Sequence, residues 1–214
     1  MKKGLFGLVL SSTIVLSGCT FGASAHEQLT EALSSIYEEE KGYREAQKEL
    51  ASLEKKEQET FNEVMALTQE DTEKVKTLVS ELNDSVEQRL ALLEEEKQSM
   101  KNAEEKVSAI EDVASEVKDD KSKTSIKELD KAIDDRYAAH EKVTTEYEAL
   151  TDKQTVLYEM LLNEETKQED LQKQVAEVNS QNDKVQEAIQ TFNESTIAIN
   201  ELKSNVYSTL SSEK

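Results

Sequence analysis

The 214-residue chain contains no proline and no tryptophan, a single cysteine, two histidines and five glycines. The glycines, Gly4, Gly7, Gly18, Gly22 and Gly42, all fall in the first 42 positions, so residues 43–214 hold neither glycine nor proline. Tight hairpin turns, phosphate-cradling loops and dinucleotide fingerprints need glycine, because it takes positive φ and lets a ligand approach the backbone at little cost. A lone cysteine excludes an intramolecular disulfide and a cysteine-based zinc site. Two histidines leave little material for a histidine-rich metal or acid–base centre. Spacing suggests no Ser/His/Asp set, HExxH motif or paired-carboxylate cleft. The expectation is a non-enzymatic protein with no catalytic, cofactor-binding or metal-ligating residues.

What is present begins with a processing signal. Lys2 and Lys3 precede an apolar run from Gly4 to Leu16. At about 13 residues the run falls short of the roughly 20 that a helix needs to span a bilayer, and it fits the h-region of a secretory signal peptide. It ends in Leu16-Ser17-Gly18-Cys19, which looks like a bacterial lipobox. Leu16, Ser17 and Gly18 would be read by the signal peptidase, whose narrow site admits small residues before the cysteine. The Cys19 thiol would take a diacylglyceryl thioether. Its acyl chains, palmitate or similar, would then partition into lipid at about 0.8 kcal/mol per buried methylene. The ordinary alternative is a plain signal peptide, or an uncleaved anchor, with an incidental cysteine.

Loss of Lys2 and Lys3 would take the formal charge from −20 to −22. A surface that acidic is repelled by nucleic acid and by anionic headgroups, so acyl chains on Cys19 must supply membrane attachment. The expected organisation is a lipoprotein signal peptide over 1–18, a lipidated N-terminus and tether over 19–26, and a single helical bundle domain over 27–214. His26 falls in that tether.

Beyond it, apolar residues recur at alternating spacings of three and four, the mark of amphipathic helices. Segment one, about 27–67, carries Leu29, Leu33, Ile36, Tyr43, Ala46, Leu50, Leu53, Phe61, Val64 and Leu67. Segment two, about 70–119, carries Val75, Val79, Leu82, Val86, Leu93, Met100, Ala103, Val107, Ile110, Ala114 and Val117. Segment three, about 125–162, carries Ile126, Leu129, Ile133, Val143, Tyr147, Leu150, Leu157 and Leu161. Segment four, about 165–211, carries Leu171, Val175, Val178, Val185, Ile189, Phe192, Ile199, Val206 and Leu210. The acidic, aromatic-poor composition also suits disorder, but four segments of sustained heptad pattern without proline argue against it.

The break between segments two and three is read from Lys118–Ser125, which has no apolar residue and ends in the capping-box pattern Ser125-Ile126-Lys127-Glu128. Asn163, followed by two glutamates, looks like an N-cap, and Thr68-Gln69-Glu70-Asp71 is a weaker version. The predicted class is all-α: an elongated four-helix up-and-down bundle, ~60–75 Å long at 1.5 Å per residue, with coiled-coil-like packing. Because the stripe runs unbroken through Asn163, one long antiparallel helical hairpin is the alternative.

A turn near residue 121 makes facing residues of segments two and three sum to about 243. This pairs Val117 with Ile126, Ala114 with Leu129, Ile110 with Ile133, Met100 with Val143, Leu93 with Leu150, Val86 with Leu157 and Leu82 with Leu161. It also sets Arg89 opposite Gln154, and His140 opposite Ala103. His140, on the seam beside Asp135, Arg136 and Glu141, is a candidate for a structural or pH-sensitive residue. Arg89, Glu96, Arg136 and Lys203 also fall on seams, where buried pairs would fix register. The runs Glu38-Glu39-Glu40 and Glu94-Glu95-Glu96 invite a cation-binding reading. Consecutive helical positions point about 100° apart, however, so a solvated face is the plainer expectation.

A lipobox followed by an acidic helical chain free of proline, and of glycine beyond Gly42, resembles the YkyA-like family of Gram-positive lipoproteins described as cell-wall-binding. The resemblance covers essentially the whole mature chain, although only the lipobox is a sharp motif. It implies a four-helix up-and-down fold, anchorage on the outer face of the cytoplasmic membrane and binding of wall material. It brings no catalytic residue with it. The partners expected are therefore the membrane, through Cys19, and cell-wall material or an envelope protein, with no nucleic acid. An accessory or chaperone-like subunit holding a membrane or secreted protein is the alternative. A substrate-binding lipoprotein of a transporter is disfavoured, since it needs two α/β lobes and nothing here reads as strand.

Overall fold

The computed structural model describes residues 24–68 and 71–211. Leu16, Ser17, Gly18 and Cys19, with the signal peptide, lie outside the described residues. Six helices and no strand occur among those described: α1 (Ala25–Glu39), α2 (Lys41–Met65), α3 (Thr72–Glu104), α4 (Ser108–Glu116), α5 (Asp120–Leu162) and α6 (Gln168–Ser211). The four expected helical segments are thus present, two of them interrupted, and the fold is an all-α helical bundle. The backbone leaves helix between Leu162 and Gln168, so the single-hairpin alternative is not the arrangement adopted.

Several of the helix ends have a local cause. Ser24 caps α1 with a reciprocal capping box: its hydroxyl accepts from the Glu27 amide at 3.3 Å, and the Glu27 carboxylate accepts from the Ser24 amide at 2.8 Å. The helix therefore starts two residues before the expected boundary. It takes in His26, whose ring lies 4.7 Å from that of Tyr207. Ahead of α3, the Asp71 carboxylate accepts from the Thr68 amide (3.0 Å) and hydroxyl (2.9 Å). These bonds hold the Asp71 pKa below the usual carboxylate range.

The break between α4 and α5 comes earlier than the Ser125 box suggests. Asp119 is the cap, accepting from the Ser122 amide at 2.8 Å, and that bond lowers its pKa. Helix then runs from Asp120 straight through Ser125, with an acid in its first turn where the macrodipole favours one. Asn163 does not cap α6 either. Its side-chain oxygen accepts from the Glu165 amide at 3.0 Å, an Asx turn that closes the connection, and α6 begins only at Gln168.

By their contacts the chain divides into two compact units. One comprises residues through Tyr43, Gln98–Glu141 and Ile189 onward; the other comprises Arg44–Lys97 and Lys142–Ala188. In the first, the buried core includes Leu29, Leu33, Ile36, Met100, Ala103, Val107, Ile110, Ala114, Val117, Ile126, Leu129, Ile133, Ile199 and Val206. In the second, Val64, Leu78, Val79, Leu82, Val86, Leu157 and Tyr158 form one cluster, with Phe61, Val75, Leu161, Leu171 and Val175 packed against it. Each buried Val, Leu, Ile or Met side chain contributes roughly 1.5–3 kcal/mol relative to exposure.

Inside the second unit the register of α3 against α5 is the predicted one. The Arg89 guanidinium donates to Gln154 Oε1 at 2.9 Å, Lys97 meets Glu148 at 3.0 Å, and Val86 shares a cluster with Leu157. The interruption at residues 105–107 in the first unit was not foreseen. There Lys106 and Val107 donate to the carbonyls of Ala103 and Glu104, each at 3.0 Å, in 3₁₀ fashion. The three–four stripe reads straight through it, from Met100 to Val117. Three residues per turn instead of 3.6 rotate α4 slightly and bring Val113 into the core beside Val107, Ile110 and Ala114.

Candidate functional site

The apolar stripes are interrupted by charge at a few seam positions, and those positions assemble into two buried polar clusters, one in each unit. Four of their members are the seam residues picked out from the pattern: Arg89, Glu96, Arg136 and His140 are all buried.

In the first unit Arg136, on α5, is 3% exposed and forms a two-pronged ion pair with Glu40, also 3% exposed. Its Nε donates to Thr196 Oγ1 of α6 at 3.0 Å, and its guanidinium lies 4.7 Å over the Phe192 ring. Tyr137 donates its hydroxyl to the same Glu40 carboxylate at 3.1 Å. One turn on, His140 sits edge-on to Tyr43 (5.7 Å between centroids) and 5.6 Å from Phe192. Every fork of the guanidinium thus has a protein partner, which is what makes a charge tolerable away from water.

In the second unit Arg89, 1% exposed, pairs with Glu57 at 2.7 Å. Glu57 also accepts from Ser85 (2.8 Å), Gln154 (2.9 Å) and Tyr158 (2.7 Å). A second Arg89 nitrogen donates to the Tyr147 hydroxyl at 3.0 Å, and Tyr147 donates onward to Glu54 at 2.8 Å. Arg89 Nε, by contrast, is buried without a hydrogen-bond partner. Glu96, fully buried, accepts from Gln47 Nε2 at 2.7 Å.

Burial sets the proton affinities. Tyr137, Tyr147 and Tyr158 have pKa values pushed well up, first by loss of water and then by the carboxylates they face. They are therefore neutral donors throughout the physiological range. The Glu54 pKa is raised as well: loss of water around its carboxylate outweighs the Tyr147 hydrogen bond and the Arg89 charge. Lys203, half-buried on α6, has its pKa lowered by loss of water.

Neither Glu54 nor Glu57 is marked by the sequence reading, and Glu40 is marked only as part of an acidic run. A signal for two of them exists: Glu57 stands midway in the gap between Leu53 and Phe61, and Glu40 in the gap between Ile36 and Tyr43, at positions where the stripe requires an inward side chain. The acidic triplets also need correction. Glu40, the third member of one run, turns into the core instead of belonging to a solvated face, and Glu96, the third member of the other, is buried as its seam position implies. The 100° step that forbids convergence on one ion is what sends one carboxylate of three inward. Among the described residues no group of three or more His, Cys, Asp or Glu is placed to hold a metal ion. The two clusters spend their charges on one another across helices. Such an arrangement ties helices together at fixed positions along the seam, the Ser85 hydroxyl included, which donates to the same Glu57 that Arg89 pairs with.

A family model named YkyA and described as "Putative cell-wall binding lipoprotein" matches residues 24–209. An uncharacterized lipoprotein, YkyA of Bacillus subtilis (strain 168), is 26% identical over 201 residues, spanning 94% of this chain and 90% of the relative. The 1.6 Å crystal structure of a conserved protein of unknown function from Staphylococcus aureus superposes with a TM-score of 0.73 at 16% identity, covering 87% of this chain and 97% of that one. That likeness speaks to the fold alone.

Proposed function

This chain belongs to the YkyA family of lipoproteins described as cell-wall binding, and from that premise we propose that it is a non-enzymatic envelope lipoprotein, held on the outer face of the cytoplasmic membrane by acyl chains on Cys19, whose helical bundle binds wall material. The observation that carries the reading is the order of the N-terminal residues. Two lysines, a short apolar run and Leu16-Ser17-Gly18-Cys19 stand directly before a helical chain matching a lipoprotein family. Among the described residues no helix is long and apolar enough to cross a membrane, and the proposal puts attachment at the lipidated cysteine. The buried arginines are each paired with a buried glutamate, so ligand contacts would fall to the outer faces of the helices.

The test is Cys19→Ser in the full-length protein. The expected result is loss of labelled fatty-acid incorporation together with loss of the processed form on a gel. Unchanged labelling and processing would overturn the anchor and, with it, the reading.

A further inference from the structure

Nothing in the local sequence explains why the first helical segment is broken at Glu40. It has no proline, and its one glycine, Gly42, lies just inside α2. The cause comes from another helix. Ser99 of α3, 7% exposed, donates its hydroxyl to the backbone carbonyl of Glu39 at 2.5 Å and accepts from the backbone amide of Tyr43 at 3.0 Å. Residues 39 and 43 are the acceptor and donor that an unbroken α-helix joins directly. The serine oxygen stands between them, as when a side chain inserts into the hydrogen-bond ladder and kinks a helix. Gly42 admits the intruder: a Cβ there would lie 3.0 Å from Ser99 Cβ and 3.1 Å from its Oγ. At the break Glu40 takes φ −73° and ψ 5°, and its side chain turns in to Arg136 and Tyr137.

We propose that Ser99 imposes this break in trans, making the α1–α2 joint a two-position element. With the hydroxyl inserted, the segment is split and Glu40 is latched to Arg136. With it withdrawn, Tyr43 bonds Glu39 directly, the helix closes and Glu40 rotates off its partner. Any displacement of α3 at Ser99 is thereby converted into breaking or making a buried ion pair at the foot of α1, the helix that follows the N-terminal residues. Closure replaces the two hydrogen bonds of the Ser99 hydroxyl with one direct bond in the ladder, so the inserted state is the resting one and a displacement of α3 is what releases the glutamate latch.

The test is Ser99→Ala in the otherwise unchanged chain, read by crystal structure and by backbone NMR. The expected result is continuous helix through Glu40, with helical Cα shifts at residues 39–43. Slowed exchange of the Tyr43 amide and altered Arg136 Nε resonances should accompany it. Gly42→Ala, whose Cβ would push Ser99 back, should move the same signals in the same direction. Glu40→Gln should leave the break in place, since the serine remains. A break that persists in Ser99→Ala with Glu40 still on Arg136 would overturn the proposal. Closure in Glu40→Gln would do so too, because the latch and not the serine would then be the cause.

Discussion

At the residue scale the molecule is governed by how few charges enter its interior and by the partners each of them finds. Arg136 and Glu40 are each 3% exposed and satisfy one another. Removing one partner therefore leaves a bare charge out of water, whereas removing both leaves an apolar seam. Arg136→Met should cost about 3–5 kcal/mol in urea unfolding, and the Arg136→Met/Glu40→Met double variant should recover much of that loss. A double variant as unstable as the single would show that the pair itself holds the unit together. In the other unit, Glu54 makes a pH-dependent contribution. Its folded-state pKa is raised, chiefly by loss of water, so the folded protein holds that proton more tightly than the unfolded chain does. Ionising it costs stability as pH rises through the window above the ordinary glutamate pKa of about 4.3. Glu54 is exposed over much of its surface, so Glu54→Gln, which keeps an acceptor for Tyr147, should remove only a small destabilising contribution between pH 4.5 and 7. The readout is a slightly higher melting temperature at pH 7 relative to pH 4.5 than in the parent chain. Glu57→Gln, which strips the charge facing Arg89, should lower stability at neutral pH. The arginines on the seams could be seen in the pattern; their glutamate partners required the second helix, because an acid in a stripe of an acidic chain does not announce its direction.

At the scale of single helices, the apolar stripe proved a better guide to burial than to continuity. All seven residue pairs of the antiparallel register are buried on both sides except the last, where Leu161 is half-buried against the cluster containing Leu82. That register is testable within one unit: Leu93→Cys with Leu150→Cys should form a disulfide readily on mild oxidation, because facing seam residues bring their Cβ atoms within bridging range. A pair shifted by one turn, Leu93→Cys with Tyr147→Cys, should cross-link far less. Mass spectrometry after oxidation distinguishes the two. The stripe was silent about the breaks at Glu40 and at residues 105–107. The first is made by a serine from another helix, and the second by a 3₁₀ turn after which the stripe residues stay inward and Val113 joins them. Helix starts were misplaced where two caps competed. Asp119 precedes Ser125, and once it has nucleated the helix the polar stretch simply continues it.

Across the whole molecule the dominant quantity is charge, −20 in the full sequence and −22 without Lys2 and Lys3. Wall polymers are polyanions, so attraction between net charges cannot be what draws the two together. If the bundle binds wall material, raising monovalent salt from about 50 to 300 mM should hold or increase the fraction of a 20–214 fragment that sediments with purified wall, since screening weakens the mutual repulsion. Steep loss of binding over that range would point to a local basic patch. Sedimentation only when a second protein is present would favour an accessory subunit. The same composition matches the narrow stripes and solvated remaining faces: 34% of residues are charged, and a helical bundle with a thin apolar seam accommodates them on its outer faces.

Composition and period by themselves decided that this chain is helical, which residues line its seams, and in what register α3 meets α5. Those properties follow from the 3.6-residue repeat and from solvent exclusion, which act along a single helix and need no knowledge of its neighbours. The tertiary structure alone decided which carboxylates answer Arg89 and Arg136, and where the first helical segment breaks. An ion pair and an inserted hydroxyl each need two atoms brought to hydrogen-bond distance from segments 30 to 100 residues apart, and no local pattern carries that distance.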